Sequence, residues 1–175
     1  PARFVTSPKG FTSRYTDRAT AEVYTMVMAG KINKEVVSDL NRRGIRAVGL
    51  SGLDGCLLRA RRKDKLIIVD ERGRRKLIEG DYSGQVKEVN VDLIHLLLEN
   101  GYMLVISPIA SGNEAEPLNI DGDRAAASLA SALKADKLIL LTDVEGVHLN
   151  GKTLEKLHIS EAKEIMERVG AGMIT

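Results

Sequence analysis

The stretch Pro117-Leu118-Asn119-Ile120-Asp121-Gly122-Asp123-Arg124, followed by the small-residue run from Ala125 to Leu133, decides the fold. An apolar strand reads just before it, at residues 103–107, and another just after it, at residues 137–142. Between them lie a polar loop and a helix of Ala, Ser and Leu. A strand–loop–helix–strand unit with short connections predicts a βαβ crossover, with its two strands parallel. Ligands of such sheets bind where loops leave the carboxyl ends of the strands. The start of the Ala-rich helix turns free N–H groups toward that crevice, and helix N-termini attract anions.

Upstream, residues 1–9 read as extended and residues 10–16 as a polar loop. Asp17 opens a helix with Val23, Met26, Val27 and Gly30 on one face, and residues 31–43 repeat the pattern with Ile32, Val36, Val37 and Leu40 before Gly44 stops it. Residues 47–50 read as a short buried strand and residues 51–55 as a turn. Residues 57–79 read as a β-meander with turns at Lys63-Asp64 and Arg72-Gly73. A loop at 80–84 and a strand at 85–89 follow. Asn90 caps a helix over 91–100 that Gly101 ends, and Ser160 caps a last helix over 160–168. Helices alternating with apolar strands, with a hairpin inserted, predict an α/β sandwich around a mainly parallel sheet.

The 175 residues suit one domain with a real core, and 43% hydrophobic with 29% charged residues exclude a disordered chain. No apolar run approaches the roughly 20 residues of a membrane span, and no secretory signal is visible. The single Cys56 allows no internal disulfide and fits a reducing compartment. Pro1 in place of an initiator Met and a pattern that breaks off over residues 170–175 suggest a piece of a longer chain. The net charge of +2 conceals an asymmetry, because residues 42–76 net +8 and the remainder nets −6. A basic lobe of this kind suits an acidic partner. It equally suits a solvated hairpin whose charged edge prevents aggregation.

Residues 146–153, Gly-Val-His-Leu-Asn-Gly-Lys-Thr, fit the P-loop pattern. Val147 and Leu149 alternate as in an extended segment, Ser160 starts a separate helix, and no later apolar strand ends in an Asp that could hold magnesium. A β-turn at Asn150-Gly151 is the expectation. Nor is the Asn-x-Asp-Gly-Asp run from Asn119 a calcium loop, since the spacing and the closing bidentate Glu are missing. His95, His148 and His158 are scattered, so no metal site is expected.

Taken in order, residues 10–16, 49–55, 84–90, 105–110, 119–127 and 140–147 resemble the amino-acid kinase family, in its acetylglutamate kinase branch. Within that branch, Ser13-Arg14-Tyr15-Thr16-Asp17 and Asn119-Ile120-Asp121-Gly122-Asp123 resemble the kinases that act on aminoadipate or glutamate attached to the small acidic carrier protein LysW. The resemblance implies a three-layer αβα sandwich, ATP and Mg2+ as cofactors, a homodimer, a cytoplasmic setting, and no nucleic acid or membrane partner. It implies that Arg14 binds a carboxylate of the acceptor, that Asn119 hydrogen-bonds it with Thr16 beside them, and that Asp123 acts in catalysis by orienting lysines against the transferring phosphoryl group. It implies that Thr142 and Asp143 begin the nucleotide pocket. Residues 1–141 would then be the acceptor lobe and residues 142–175 the start of the nucleotide lobe. The lysines of the family pattern fall upstream of Pro1 and beyond Thr175, so this polypeptide alone is expected to be inactive.

The chemistry agrees with an absence of obvious catalytic bases. A Glu-type carboxyl with a pKa of about 4.3 is already ionised at neutral pH and needs no general base. The obstacle is repulsion between that carboxylate and ATP, which positioning and fixed positive charge overcome. Each residue also has a plainer reading: Arg14 as a surface arginine, Asn119 and Asp121 as helix caps, and Asp123 as a first-turn charge complementing the helix dipole. Two other functions compete with the carrier-linked kinase: phosphorylation of free acetylglutamate, and amino-acid binding without catalysis.

Overall fold

The computed structural model describes residues 3–8, 10, 12–143, 146–149, 152–154 and 156–162. The chain enters as a hairpin, β1 (Phe4–Thr6) and β2 (Thr12–Arg14), where the sequence suggested an extended arm and a loop. The guanidinium of Arg3 lies 4.5 Å from the centre of the Tyr15 ring, and the Tyr15 N–H donates to the Arg3 carbonyl.

Asp17 caps the next helix as expected, accepting the Thr20 N–H at 2.8 Å. That bond holds the Asp17 carboxyl below the usual carboxylate range. The two helices read from the sequence are one continuous rod: α1 (Arg18–Thr25), a π-helical segment (Met26–Ile32) and α2 (Asn33–Arg42). The π turn is held by the Asn33 N–H reaching back to the Met28 carbonyl, which also accepts from the buried Ser107 hydroxyl at 2.9 Å. Its wider turn changes which residues align. Val23, Val27, Ile32 and Val36 are spaced by four, five and four, and the five-residue step crosses the π segment, so all four fall on one stripe. That stripe is exposed, as is Met26, so the apolar face read at helical spacing is an outer one. The rod ends at Gly44, whose φ of +81° is open to glycine without strain.

The main sheet runs β3 (Ala47–Gly52), β8 (Met103–Ser111), β4 (Leu58–Arg62), β7 (Gly84–Val89), with β9 (Pro117–Asn119) paired on β8. It is parallel at its centre, where β8 lies between β3 and β4, and antiparallel at its margins, in the β4–β7 and β8–β9 pairs. The strand period of two sends alternate residues to opposite faces. Leu50, Leu104 and Ile106 join a core with Leu57, Leu58, Ile94, Leu118 and Ile120, closed by α3 (Val91–Glu99) and α4 (Gly122–Ala132). Gly49 faces the rod instead, making room for Asn33. The result is the expected helix–sheet–helix layering.

Buried Asn33 fastens the rod to the sheet. Its amide donates to the carbonyls of Leu50 on β3 and Val105 on β8 at 3.2 and 2.8 Å, and its oxygen accepts from Lys34. Asn33→Ala strands these groups in the interior, where an unsatisfied polar atom costs about 1–3 kcal/mol. The expected result is a lowered urea midpoint with an unchanged slope; a midpoint equal to wild type refutes the anchoring role.

Three expectations change. The meander over 57–79 divides between two sheets. β4 stays in the main sheet, while β5 (Lys65–Val69) and β6 (Arg75–Glu79) form a hairpin that joins β1 and β2 in a second sheet, in the order β2-β1-β5-β6. The division occurs at a narrow neck where Gly80 packs directly on the backbone of Lys63, a position with no room for a Cβ. Second, residues 137–142 form no strand. Strands need a neighbour for their backbone groups, and among the described residues none lies alongside, so Leu138 to Leu141 stay exposed, Leu141 to 95%. The βαβ crossover is therefore not closed on that side. Third, the last helix opens at residue 159 with His158 in the capping position, because the Glu161 carboxylate reaches back to the His158 N–H at 2.7 Å. Its continuation over 163–168 lies outside the described residues.

The P-loop lookalike is a hairpin: β10 (Val147–Leu149) pairs antiparallel with β11 (Lys152–Leu154). The connecting turn at residues 150–151 lies outside the described residues.

Candidate active site

The quoted stretch supplies the site's floor. Asn119 ends β9, and Asp121 caps α4 by accepting the Arg124 N–H at 2.9 Å. Asp123 follows in the first helical turn, exposed to solvent, with no ion-pair partner among the described residues. The helix packs by its small residues, with Ala125 in the core, so its N-terminal end is presented beside β9.

Thr16 comes against this floor from the first hairpin and is engaged by every polar group it has. Its N–H donates to Asp81 Oδ2 at 3.2 Å, its carbonyl accepts the Tyr82 N–H at 2.6 Å, and its hydroxyl accepts from Asn119 Nδ2 at 3.4 Å. The Tyr82 carbonyl in turn accepts the Asn119 N–H at 2.8 Å. Thr16 is only 2% exposed, which suits holding its neighbours more than touching a ligand. Arg14 stands two residues before it, at the end of β2, with its side chain exposed and no ion pair among the described residues. Two segments far apart in sequence, residues 14–16 and 119–123, are thus tied together through Thr16 and Asn119, with the loop at residues 81–83 between them. Thr142 and Asp143 lie exposed at the end of the 137–143 stretch, outside the network just described.

Three residues have roles that the sequence pattern did not disclose. Asp81, read as part of a loop, is buried beneath Thr16, and its Oδ1 accepts the Ser83 hydroxyl at 2.6 Å. Tyr24 on α1 lies near the start of α4; burial, and then the negative charge of Asp121, push its hydroxyl above the usual phenol range. Arg62, read as one of several surface cations, is committed to structure. It donates to the carbonyls of Asp81 and Gly80 at 3.0 and 2.8 Å and lies 4.0 Å from the centre of the Tyr82 ring. Only Asp81 carried a sequence signal, an acid between glycines and small polar residues in a short loop.

Beside this cluster runs an open cleft of about 900 Å³ lined by Arg61, Lys63, Lys65, Lys87 and Arg124 together with Asp81 and Ser83. Among the described residues those five cations make no ion pair, whereas Arg59 pairs with Glu88 at 4.0 Å. Within the basic lobe read from the sequence, Arg62 and Arg46 bond backbone carbonyls, Arg42, Arg59 and Arg74 are ion-paired, and Arg61, Lys63 and Lys65 line the cleft without an ion pair among the described residues.

Comparison with known proteins agrees with this architecture. The chain is 53% identical over 171 residues to a putative LysW-aminoadipate/LysW-glutamate kinase of Cenarchaeum symbiosum, covering 98% of this chain and 64% of that protein. It is 49% identical over 171 residues to the LysW-aminoadipate/LysW-glutamate kinase of Saccharolobus solfataricus, covering 97% of this chain and 64% of that one. The chain therefore spans just under two thirds of these relatives. Among solved structures, that of smu.665 from Streptococcus mutans superposes with a TM-score of 0.75 at 26% identity, over 99% of this chain and 65% of that one. An N-acetylglutamate synthase from Neisseria gonorrhoeae, complexed with coenzyme A and N-acetyl-glutamate, shares the fold with a TM-score of 0.71 at 22% identity, over 97% of this chain and 35% of its own. The model of the amino acid kinase family matches residues 2–175. This chain belongs to the amino acid kinase family.

Proposed function

We propose that the complete protein transfers the γ-phosphoryl group of ATP to the side-chain carboxylate of aminoadipate or glutamate carried on an acidic protein of the LysW type, in lysine or arginine biosynthesis. The observation that carries this reading is the Thr16 network, which ties the segment bearing Arg14 to Asn119 just ahead of α4, beside a cleft lined by cations that make no ion pair among the described residues. Arg14 offers a planar fork that suits a carboxylate. Asn119 holds the acceptor from the opposite side, with Thr16 setting the spacing between them. No residue is required to take a proton, because the acceptor carboxylate is ionised at neutral pH. Asp123 orients cationic groups against the phosphoryl group, and Thr142 and Asp143 begin the nucleotide pocket in the second lobe.

Among the described residues no group of three His, Cys, Asp or Glu side chains could hold a metal ion. In this reading Mg2+ is held chiefly by the nucleotide's phosphates, where it would supply charge neutralisation, as is usual for kinases. The exposed stripe of Val23, Val27, Ile32 and Val36 supports a homodimer. Among the described residues no helix is long and apolar enough to cross a membrane.

Release of ADP by the complete protein tests the reading, with carrier-bound aminoadipate, carrier-bound glutamate and free acetylglutamate offered in parallel. Turnover on the carrier-bound acceptors is the expected result. Turnover on free acetylglutamate alone replaces it with the acetylglutamate kinase reading, and acceptor binding without turnover leaves a binding module.

The cleft makes a separate prediction. Reversing Arg61, Lys63 and Lys65 to Glu slows carrier-bound turnover about 10-fold or more at low salt, through loss of electrostatic steering, and flattens its salt dependence. Arg62 is kept, since its loss would open the loop at residues 80–82. An unchanged rate and salt dependence returns the basic lobe to a solvated edge.

A further inference from the structure

We propose that Asp81 is the positioning residue of the acceptor site: its buried carboxylate clasps the Thr16 N–H and Ser83, and so fixes Arg14 relative to Asn119. The inference rests on the kinase reading above and goes beyond it in assigning a role to the loop at residues 80–83.

The need for a clasp follows from the topology. Arg14 belongs to the sheet β2-β1-β5-β6, whereas Asn119 belongs to the main sheet, through β9. β2 is an edge strand of three residues paired only with β1, so its own sheet leaves the Arg14 end weakly held. What joins the two sheets at this point is Thr16. Its N–H goes to Asp81 Oδ2 (3.2 Å), its carbonyl receives the Tyr82 N–H (2.6 Å), and its hydroxyl receives Asn119 Nδ2 (3.4 Å). Asp81 Oδ1 is meanwhile occupied by the Ser83 hydroxyl (2.6 Å) and N–H (3.4 Å), and Ser83 bridges to Asn119. The same carboxylate therefore ties the segment that carries Arg14 to the segment beside Asn119. From the other side Arg62 holds the Gly80 and Asp81 carbonyls, so the loop has little freedom to follow a displaced Thr16.

Asp81 is 5% exposed, and both carboxylate oxygens are taken by protein donors. It acts through Thr16 and Ser83, without contact with the reacting atoms. Removing it leaves the Thr16 N–H buried without its acceptor and lets the end of β2 drift, which loosens the acceptor and spares the nucleotide. An amide in its place keeps most of the clasp. The Asn oxygen accepts the Thr16 N–H, and its NH₂ donates to the Ser83 hydroxyl, which turns to accept.

The test is steady-state kinetics of the complete enzyme with carrier-bound acceptor, comparing Asp81→Ala, Asp81→Asn and Ser83→Ala. Asp81→Ala is expected to raise the acceptor KM about 10- to 100-fold with the ATP KM unchanged. Asp81→Asn restores most of that loss, and Ser83→Ala raises the acceptor KM several-fold. Should Asp81→Ala fail to fold, the milder two variants carry the comparison. Asn90→Ala, which uncaps α3 and touches none of these residues, serves as the control for destabilisation alone. An unchanged acceptor KM in the Asp81 and Ser83 variants of an active enzyme overturns the clasp and leaves the kinase reading standing. So does a loss shared equally by the ATP KM and matched by Asn90→Ala. Equal damage from Asn and Ala overturns positioning in favour of a direct role for the Asp81 charge. Absence of turnover by the unmodified protein overturns the kinase reading itself.

Discussion

Asp123→Asn in the complete enzyme is expected to lower kcat about 100-fold, with both KM values within about threefold of wild type. Asp123 lies exposed in the first turn of α4, next to the Asp121 cap, so nothing in the core depends on it. The cost to the helix of losing a first-turn charge is small, since such charges contribute about 0.3–1 kcal/mol. The isosteric amide preserves shape and removes only the negative charge. If Asp123 holds cationic groups against the phosphoryl in flight, the loss falls on the transition state, where charge is redistributed, and not on either ground-state complex. Single-turnover measurements with saturating ATP and acceptor separate this from slowed product release. A kcat within threefold of wild type would return Asp123 to the plainer role of complementing the helix dipole.

Arg14→Ala is expected to raise the acceptor KM about 10- to 100-fold while the KM for ATP stays unchanged. Hydrogen bonds to charged groups are worth about 1.5–3 kcal/mol, which converts to that range. Arg14 is exposed at the end of an edge strand with no described ion pair, so its removal leaves no buried charge behind and little stability is lost. Arg14→Lys keeps the charge without the two-pronged donor geometry, and should recover only part of the affinity. A normal acceptor KM in Arg14→Ala refutes the assignment. Parallel losses for ATP and acceptor would instead mean that the first hairpin had moved as a whole.

These two residues and Asp81 differ in how visible they are in the chain. Arg14 and Asp123 sit in recognisable runs, Ser13-Arg14-Tyr15-Thr16-Asp17 and Asn119-Ile120-Asp121-Gly122-Asp123. Asp81 sits in a loop that reads as a simple connection, and acquires meaning only because Thr16, 65 positions earlier, is folded onto it. Arg62 is the converse. All three of Arg61, Arg62 and Lys63 line the cleft, yet only the Arg62 guanidinium is committed, to the Gly80 and Asp81 carbonyls and the Tyr82 ring. Charge counting made the three equivalent, and packing separates them.

By itself the sequence determined the local elements whose signals are local. Asp17, Asn90 and Asp121 cap helices because a short polar side chain can reach an N–H three residues on. Gly44 and Gly101 end helices because glycine accepts a positive φ. The alternation of Val147 and Leu149 and the turn signal at Asn150-Gly151 argued against a phosphate loop. Tertiary structure alone decided what depends on residues distant in the chain. It split the meander between two sheets at the Gly80 neck and merged two helices into a rod through a π turn that Ser107 supports. It also brought Thr16, Asp81 and Asn119 together, because hydrogen bonds between separate segments are set by where the sheets place their ends. No window of neighbouring residues contains that placement.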